Sequence, residues 1–331
     1  MPAIAEESFD DHPLPHVVRS LRPGDRDRLV DWIDGHKRQL DERLATFGAV
    51  LFRDFNLADA GDLDAVVRAY DPWPMRSYVG GDTPRTRVGG AVYTSTECPP
   101  SVSIPVHNEL SYLSRYPRRL FFLCTQAPAR GGETTLADGR AVFAALDPAT
   151  RERFVERGVR YVAIHPERSA LSEWLRRLQL VRKSWSEVFE TESRAVAEAR
   201  CRELQIDYRW LASGALYTST VRPAVVDGDG QLRWFNQAHL FRMSPHWMGR
   251  VHYAFAALVY FGRDGRGRDA QYGDGGAIEP ERLDHVHAVL RRCTITRPWQ
   301  RGDLLVVDNL RCMHGRNSFS GRRRVLVAMT G

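Results

Sequence analysis

The chain has 331 residues, 43% hydrophobic and 27% charged, which is enough to bury a full core and ordinary for a soluble globular protein. No apolar run approaches the roughly 18 residues a membrane helix needs, and the start Met1-Pro2-Ala3-Ile4 lacks the basic and apolar regions of a secretory signal, so a cytoplasmic protein is expected. The formal charge of +6 does not point to nucleic acid, because no dense basic run interleaved with aromatics occurs and Lys37 and Lys183 are the only lysines.

A mildly basic surface still suits an acidic protein partner. Cys98, Cys124, Cys201, Cys293 and Cys312 are odd in number and form no Cys-x-x-Cys pair, which argues against a disulfide framework and a zinc ribbon.

In chain order, residues 1–20 hold Pro13, Pro15 and several acids and read as a flexible arm. A helix is predicted over 24–46, with Asp25 as its cap and Leu29, Trp32, Ile33, Leu40 and Leu44 as its apolar stripe. A short strand follows at 48–53, then a helix at 58–69 that ends before Pro72-Trp73-Pro74. Residues 75–101 are rich in Gly, Pro, Thr and Ser and read as a long loop with one strand at 88–93. Such a loop either lines a site or makes a surface excursion. Arg119 to Thr125 is apolar on both faces, hence a buried strand with Cys124 as a core thiol.

Gly131-Gly132-Glu133-Thr134 predicts a tight turn whose threonine hydroxyls can donate to an anion, or else a plain hairpin. A helix over 140–154 and a strand over 158–164 come next. The charged segment 168–213, carrying Trp174, Leu175, Leu178, Trp185, Val188 and Phe189, reads as a helical insertion covering the core. Residues 216–225, 232–236 and 254–261 look like strands or short buried segments, and the glycine-rich 262–276 like a flexible loop. A helix over 281–292 turns Leu283, Val286, Val289 and Leu290 inward and leaves His285 and His287 facing solvent. Buried strands at 304–307 and 325–328 flank His314. Many short strands and few long helices predict a mainly β core with helical decoration, in a single domain spanning 1–331.

The chemistry centres on His107-Asn108-Glu109. On extended backbone, side chains two residues apart point to the same side, so His107 and Glu109 can bind one metal ion as neighbouring ligands. His314 is the best third ligand. Two histidines and a carboxylate with open positions form a non-heme Fe(II) site. His165-Pro166-Glu167 repeats the spacing but reads as a loop mouth, and His239 and His252 have no patterned partner. Cys312 shares a strand face with His314, though a thiolate would make a softer, zinc- or copper-like site.

Arg322-Arg323-Arg324 opens the last buried strand. A guanidinium at that depth binds a carboxylate bidentately, which points to a carboxylate co-substrate that also chelates the metal. Alternation puts Arg323 on one face and Arg322 and Arg324 on the other; Arg324, abutting the strand, is favoured over Arg323. Asn108, Trp234, Asn236 and Arg242 are candidate substrate contacts, with packing or support of the ligands as the competing role.

Together these residues resemble the taurine dioxygenase/clavaminate synthase-like family of Fe(II)- and 2-oxoglutarate-dependent oxygenases. His107-x-Glu109, Gly131-Gly132-Glu133-Thr134, Trp234-Phe235-Asn236-Gln237, His314 and the terminal arginine strand follow the family's order. Ser184-Trp185-Ser186-Glu187-Val188-Phe189 and Tyr272-Gly273-Asp274-Gly275 are similar to the branch of syringomycin-type aspartyl hydroxylases. The resemblance implies a double-stranded β-helix, or jelly roll, with the metal at one open end. It implies that Arg324 and Thr134 hold the distal carboxylate of 2-oxoglutarate, and that O2 and the keto acid yield succinate, CO2 and an oxidant able to abstract hydrogen. It also implies hydroxylation rather than halogenation, because related halogenases lack the carboxylate ligand present here as Glu109.

The expected activity is therefore hydroxylation of an unactivated C–H bond of an amino acid or amino-acid-derived natural-product intermediate, free or presented by an acidic peptidyl carrier protein. Desaturation or cyclisation by the same oxidant, a zinc hydrolase built on the same triad, and a silent β-barrel binding module are the alternatives.

Overall fold

The computed structural model of the chain describes residues 4–9, 11–21, 26–83, 85–168, 183–242, 249–250, 253–254, 257, 261–262 and 265–331. Its largest sheet has eight strands in the order Ile4–Phe9, His12–Ser20, Ala49–Arg53, Leu304–Asp308, Arg119–Gln126, Arg324–Thr330, Val92–Thr94, Arg87–Gly89. Its central strands are apolar on both faces because both faces are covered. Phe121, Leu123, Val306 and Leu326 pack outward, in one cluster with Leu29, Ile33, Leu40, Leu44, Leu63 and Val66 from three helices. Leu120, Phe122, Val307, Val325 and Val327 point inward. Each such side chain, fully buried, contributes roughly 1.5–3 kcal/mol.

The inward cluster is shared with a three-stranded sheet, Ile104–His107, Cys312–Arg316 and Thr134–Asp138, through Val106, Leu136 and Met313. A four-stranded sheet orders Asp207–Trp210, Leu216–Arg222, Val159–His165 and Arg268–Tyr272. The mainly β core with helical decoration is thus present, built from packed layers.

Local chemistry sets the helix ends. The helix expected over 24–46 is two, Arg26–Gly35 and Lys37–Phe47, broken at His36 with its non-helical φ −130°, ψ 27°. Asp25, its expected cap, lies outside the described residues. Gly48 closes the second helix at φ 84°, a left-handed position that costs glycine little. Ala60–Tyr70 is capped by the Asp59 carboxylate, which accepts from the Gly61 and Asp62 amides. The helix expected over 140–154 is also two, Gly139–Ala145 and Pro148–Arg157. Pro148 cannot donate within a helix but suits its first position, after the Asp147 cap.

Four expectations are corrected. Residues 1–20 are not an arm over their described part: His12–Ser20 pairs parallel with Ala49–Arg53 and buries Leu14, Val17 and Val18. The acids that looked like arm residues are charges at a sheet edge, Glu6 held by Arg43 and Glu7 by Arg19. The 262–276 segment is no simple loop, because Arg268–Tyr272 pairs with Val159–His165 and buries Ala270 and Tyr272 completely. Its short alternation was hidden among glycines. His287 is buried rather than solvent-facing, its ring 5.4 Å from that of His239, while His285 sits 3.1 Å from the Asp147 carboxylate. The 168–213 segment holds helices Trp185–Val188 and Arg194–Glu203 but ends in a sheet strand, Asp207–Trp210. Residues 169–182, with Trp174, Leu175 and Leu178, and most of 254–261 lie outside the described residues, as does His252.

Candidate metal centre

His107 ends its strand directly opposite His314, which lies on the neighbouring strand Cys312–Arg316. Their ring centroids are 4.5 Å apart, and His314 Nε2 lies 3.4 Å from Glu109 Oε2. One ligand atom from each of His107, Glu109 and His314 falls within 4.8 Å of the others, all three residues are buried, and no other such group occurs among the described residues. His165 and Glu167 therefore do not form a second centre: Glu167 is exposed and pairs with Arg194. Cys312 is not part of the group of His107, Glu109 and His314: it is fully buried in the core, its thiol directed at the Met313 carbonyl.

The donor set fits a divalent cation. His107 Nδ1 donates to the Pro105 carbonyl at 2.9 Å, which leaves Nε2 as the lone-pair donor. Burial, with His314 beside it, pulls the His107 pKa down to about 4, so the imidazole is neutral at ordinary pH. Burial alone would raise the Glu109 carboxyl, but Arg85 and the two histidines outweigh it and hold it well below the usual carboxylate range. Arg85 Nη2 donates to Glu109 Oε2 at 2.8 Å, and the Tyr78 hydroxyl donates to Oε1.

Asn309 fixes the carboxylate segment from 200 residues away. Its Oδ1 accepts from the Glu109 amide at 2.7 Å and its Nδ2 donates to the Glu109 and Pro117 carbonyls. Sequence reasoning missed Arg85, Tyr78 and Asn309 as site residues. Only the composition of the 75–101 loop hinted at the first two.

A cavity opens beside the histidines, lined by Phe122, Ile104, Thr134, Arg85, Arg316 and Arg323 among others. Arg323 and Thr134 thus stand in the lining together with both histidines. Arg323 Nε donates to the Gly132 carbonyl at 2.7 Å and Nη1 to Ser95 Oγ at 3.1 Å. Burial, then the neighbouring Arg316, lowers its pKa to about 10, still fully protonated at neutral pH. Arg324, the favoured candidate, is exposed and outside the lining. Arg323 sits just before the strand, and the register shift between Arg324 and Val325 interrupts the alternation there, so the inward position falls to Arg323 and not to the residue that abuts the strand.

The four candidate substrate contacts are occupied elsewhere. Asn108 is fully buried, donating to the Asn309 carbonyl. Asn236 is fully buried, donating to the Ala224 carbonyl and accepting from the Ala238 amide. Trp234 packs edge-on against Phe154, and Arg242 pairs with Asp269 at 2.9 Å.

The family model for the taurine catabolism dioxygenase TauD, TfdA family matches residues 11–330. The chain is 32% identical over 328 residues to the dapdiamide synthesis protein DdaC of Enterobacter agglomerans, covering 97% of this chain and 94% of that protein. It is 31% identical over 340 residues to a clavaminate synthase-like protein of Arabidopsis thaliana, covering 99% and 93%. Among solved structures, it shares its fold with PvcB of Pseudomonas aeruginosa, an Fe, α-ketoglutarate-dependent oxygenase from an isonitrile synthetic pathway. That match has a TM-score of 0.50 at 17% identity, over 98% of this chain and 90% of that one. It also shares its fold with an asparagine oxygenase solved with Fe(II), 3-hydroxyasparagine and succinate, at a TM-score of 0.50 and 14% identity over 92% and 82% of the chains.

Proposed function

The chain belongs to the taurine catabolism dioxygenase TauD, TfdA family, and on that premise we propose that it hydroxylates an unactivated C–H bond of an amino acid or amino-acid-derived natural-product intermediate. The enzyme is an oxygenase of jelly-roll fold that uses Fe(II), 2-oxoglutarate and O2. The zinc-hydrolase and silent-module alternatives fall with that assignment. No helix among the described residues is long and apolar enough to cross a membrane.

In this reading His107, Glu109 and His314 hold the iron, and Arg323 and Thr134 hold the distal carboxylate of 2-oxoglutarate. The bound iron, keto acid and O2 supply the oxidising power: RH, 2-oxoglutarate and O2 give ROH, succinate and CO2. The chain's own residues do the placing. Arg85, Tyr78 and the Asn309 side chain fix Glu109, the Pro105 carbonyl fixes the His107 tautomer, and Phe122 and Ile104 supply apolar wall that keeps water from the reacting centre.

The observation that carries hydroxylation over halogenation is the carboxylate ligand itself, buried, ionised and oriented by three neighbours. The natural-product role draws on the relative named for dapdiamide synthesis. A carrier protein presenting the substrate would find a basic surface here, with the chain at +6. The test is product mass. With Fe(II), 2-oxoglutarate and a panel of free and carrier-bound amino acids, the consumed substrate should gain one oxygen atom. Loss of two hydrogens without added oxygen would replace hydroxylation by desaturation or ring closure, and absence of succinate across the panel would sink the reading.

A further inference from the structure

Among the described residues three arginines line the cavity beside the histidines, and no carboxylate does. They are engaged very differently. Arg316 gives both terminal nitrogens to main chain, donating to the carbonyls of Thr96, Cys98, Pro99 and Val102, and only its Nε is left buried without a partner. Arg323 is anchored by Gly132 and Ser95 beside Thr134, the position assigned above to the co-substrate. Arg85 is different.

The Arg85 side chain is only 2% exposed. Its Nη2 reaches Glu109, but Nε and Nη1 are buried and meet no acceptor. A buried donor without a partner costs on the order of 1–3 kcal/mol, and more when it is charged, so two on one guanidinium mark a place prepared for an acceptor. A second cation stands close by. Arg85 Cζ lies 5.3 Å from the Tyr78 ring centroid and Lys183 Nζ 5.2 Å from the same centroid, with the ammonium donating to the Gly81 carbonyl. The acceptor that matches buried guanidinium N–H groups is an anion, and a planar carboxylate matches a guanidinium best.

We propose that Arg85 is the anchor for a carboxylate of the substrate, so that the enzyme takes an acid whose ionised carboxylate is held beside Glu109 at the edge of the metal centre. This rests on the oxygenase reading above and narrows its substrate class. The anion is either the α-carboxylate of a free amino acid or, for an acyl group tethered through that carbon, a second carboxylate in its side chain. Arg85 also steadies Glu109, so one side chain ties substrate position to ligand position.

The experiment uses the full chain loaded with Fe(II) and 2-oxoglutarate under anaerobic conditions. Binding of L-aspartate, its α-amide, its β-amide, other L-amino acids with their α-amides, and benzoate is followed by thermal shift and by change in the visible band. Wild type should bind at least one carboxylate probe, and Arg85→Gln should weaken it by about tenfold or more, a clearly larger loss than the one in 2-oxoglutarate affinity that a loosened Glu109 brings. Arg85→Lys keeps the charge beside Glu109 and should recover part of the loss, which separates an anchoring role from a failure to fold. Which aspartate amide still binds tells the α-carboxylate from the side-chain one.

Equal binding by wild type and Arg85→Gln overturns the proposal, as does a wild type that binds no carboxylate. A loss of 2-oxoglutarate affinity equal to the loss of probe affinity would move Arg85 to the co-substrate instead. Arg85-dependent binding of benzoate alone, with no amino acid bound, would keep the anchor and sink the amino-acid reading.

Discussion

Replacing Arg323 by alanine should cripple co-substrate binding, and replacing Arg324 should not. Arg323 is mostly buried and its Nε and Nη1 are already held, at 2.7 Å by Gly132 and 3.1 Å by Ser95, so little ordering remains to be done when a carboxylate arrives. Among the described residues it has no ion pair with a carboxylate, so truncation removes a buried cation whose intended partner is the ligand. Truncating one side of a buried, hydrogen-bonded charge pair costs roughly 2–4 kcal/mol, or about 30- to 1,000-fold in 2-oxoglutarate affinity. Arg324 is exposed, and a solvated cation at that range is worth under about 0.5 kcal/mol, a change of about twofold. Anaerobic titration of the Fe(II) protein with 2-oxoglutarate, followed by the weak visible charge-transfer band, gives both affinities. Should Arg324→Ala weaken binding as much as Arg323→Ala, the assignment of the clamp to Arg323 is wrong.

Two further outcomes are expected. A Cβ at Gly315 would stand 2.5 Å from the Ile104 carbonyl oxygen, 2.7 Å from Thr135 Oγ1 and 2.9 Å from the Val106 nitrogen, so Gly315→Ala must push the strand of His107 off that of His314. It should cost about 1–3 kcal/mol in thermal unfolding and also weaken Mn(II) binding measured by electron paramagnetic resonance; wild-type values for both would refute the close-approach account. For pH, burial and then Arg291 lower the His287 pKa from 6.5 to about 4. A depressed folded-state pKa means the stabilisation is complete above about pH 6.5 and lost as pH falls toward 4, by up to roughly 3 kcal/mol. Denaturant midpoints measured across that window should fall in wild type and fall less in His287→Gln; parallel curves would show that His287 does not carry the effect.

Much of the site was legible because its chemistry is written locally. The spacing of His107 and Glu109 marked the pair, although the strand ends at His107 and Glu109 is placed by the turn that Asn309 holds, and the apolar runs at 119–125, 304–307 and 325–328 announced a sheet buried on both sides. What stayed hidden depends on contacts between distant segments. Arg85, Tyr78 and Asn309 meet Glu109 only after the 75–101 loop and the turn before His314 have folded against it, and beyond the composition of that loop nothing in their own neighbourhoods marks them. The arginine choice failed for a different reason. Alternation was extended through Arg324 into the arginine run, but the strand begins only at Arg324 and its register shifts before Val325, an irregularity the sequence does not announce. Asn108, Trp234 and Asn236 lie in the right segments, yet their side chains close the core instead of facing the cavity. The N-terminal strands were misread because acids that protect a sheet edge look, in sequence, like acids that solvate an arm.

The central claim is that His107, Glu109 and His314 hold an iron that couples 2-oxoglutarate cleavage to substrate oxidation. Turnover under 18O2 with Fe(II), 2-oxoglutarate and the amino-acid panel tests it most directly, read by mass spectrometry of both succinate and product. Wild type should place one labelled oxygen atom in succinate and one in the hydroxylated product, and His314→Ala should form neither. Iron-loaded wild type that leaves 2-oxoglutarate intact, or that releases succinate without label, would contradict the account.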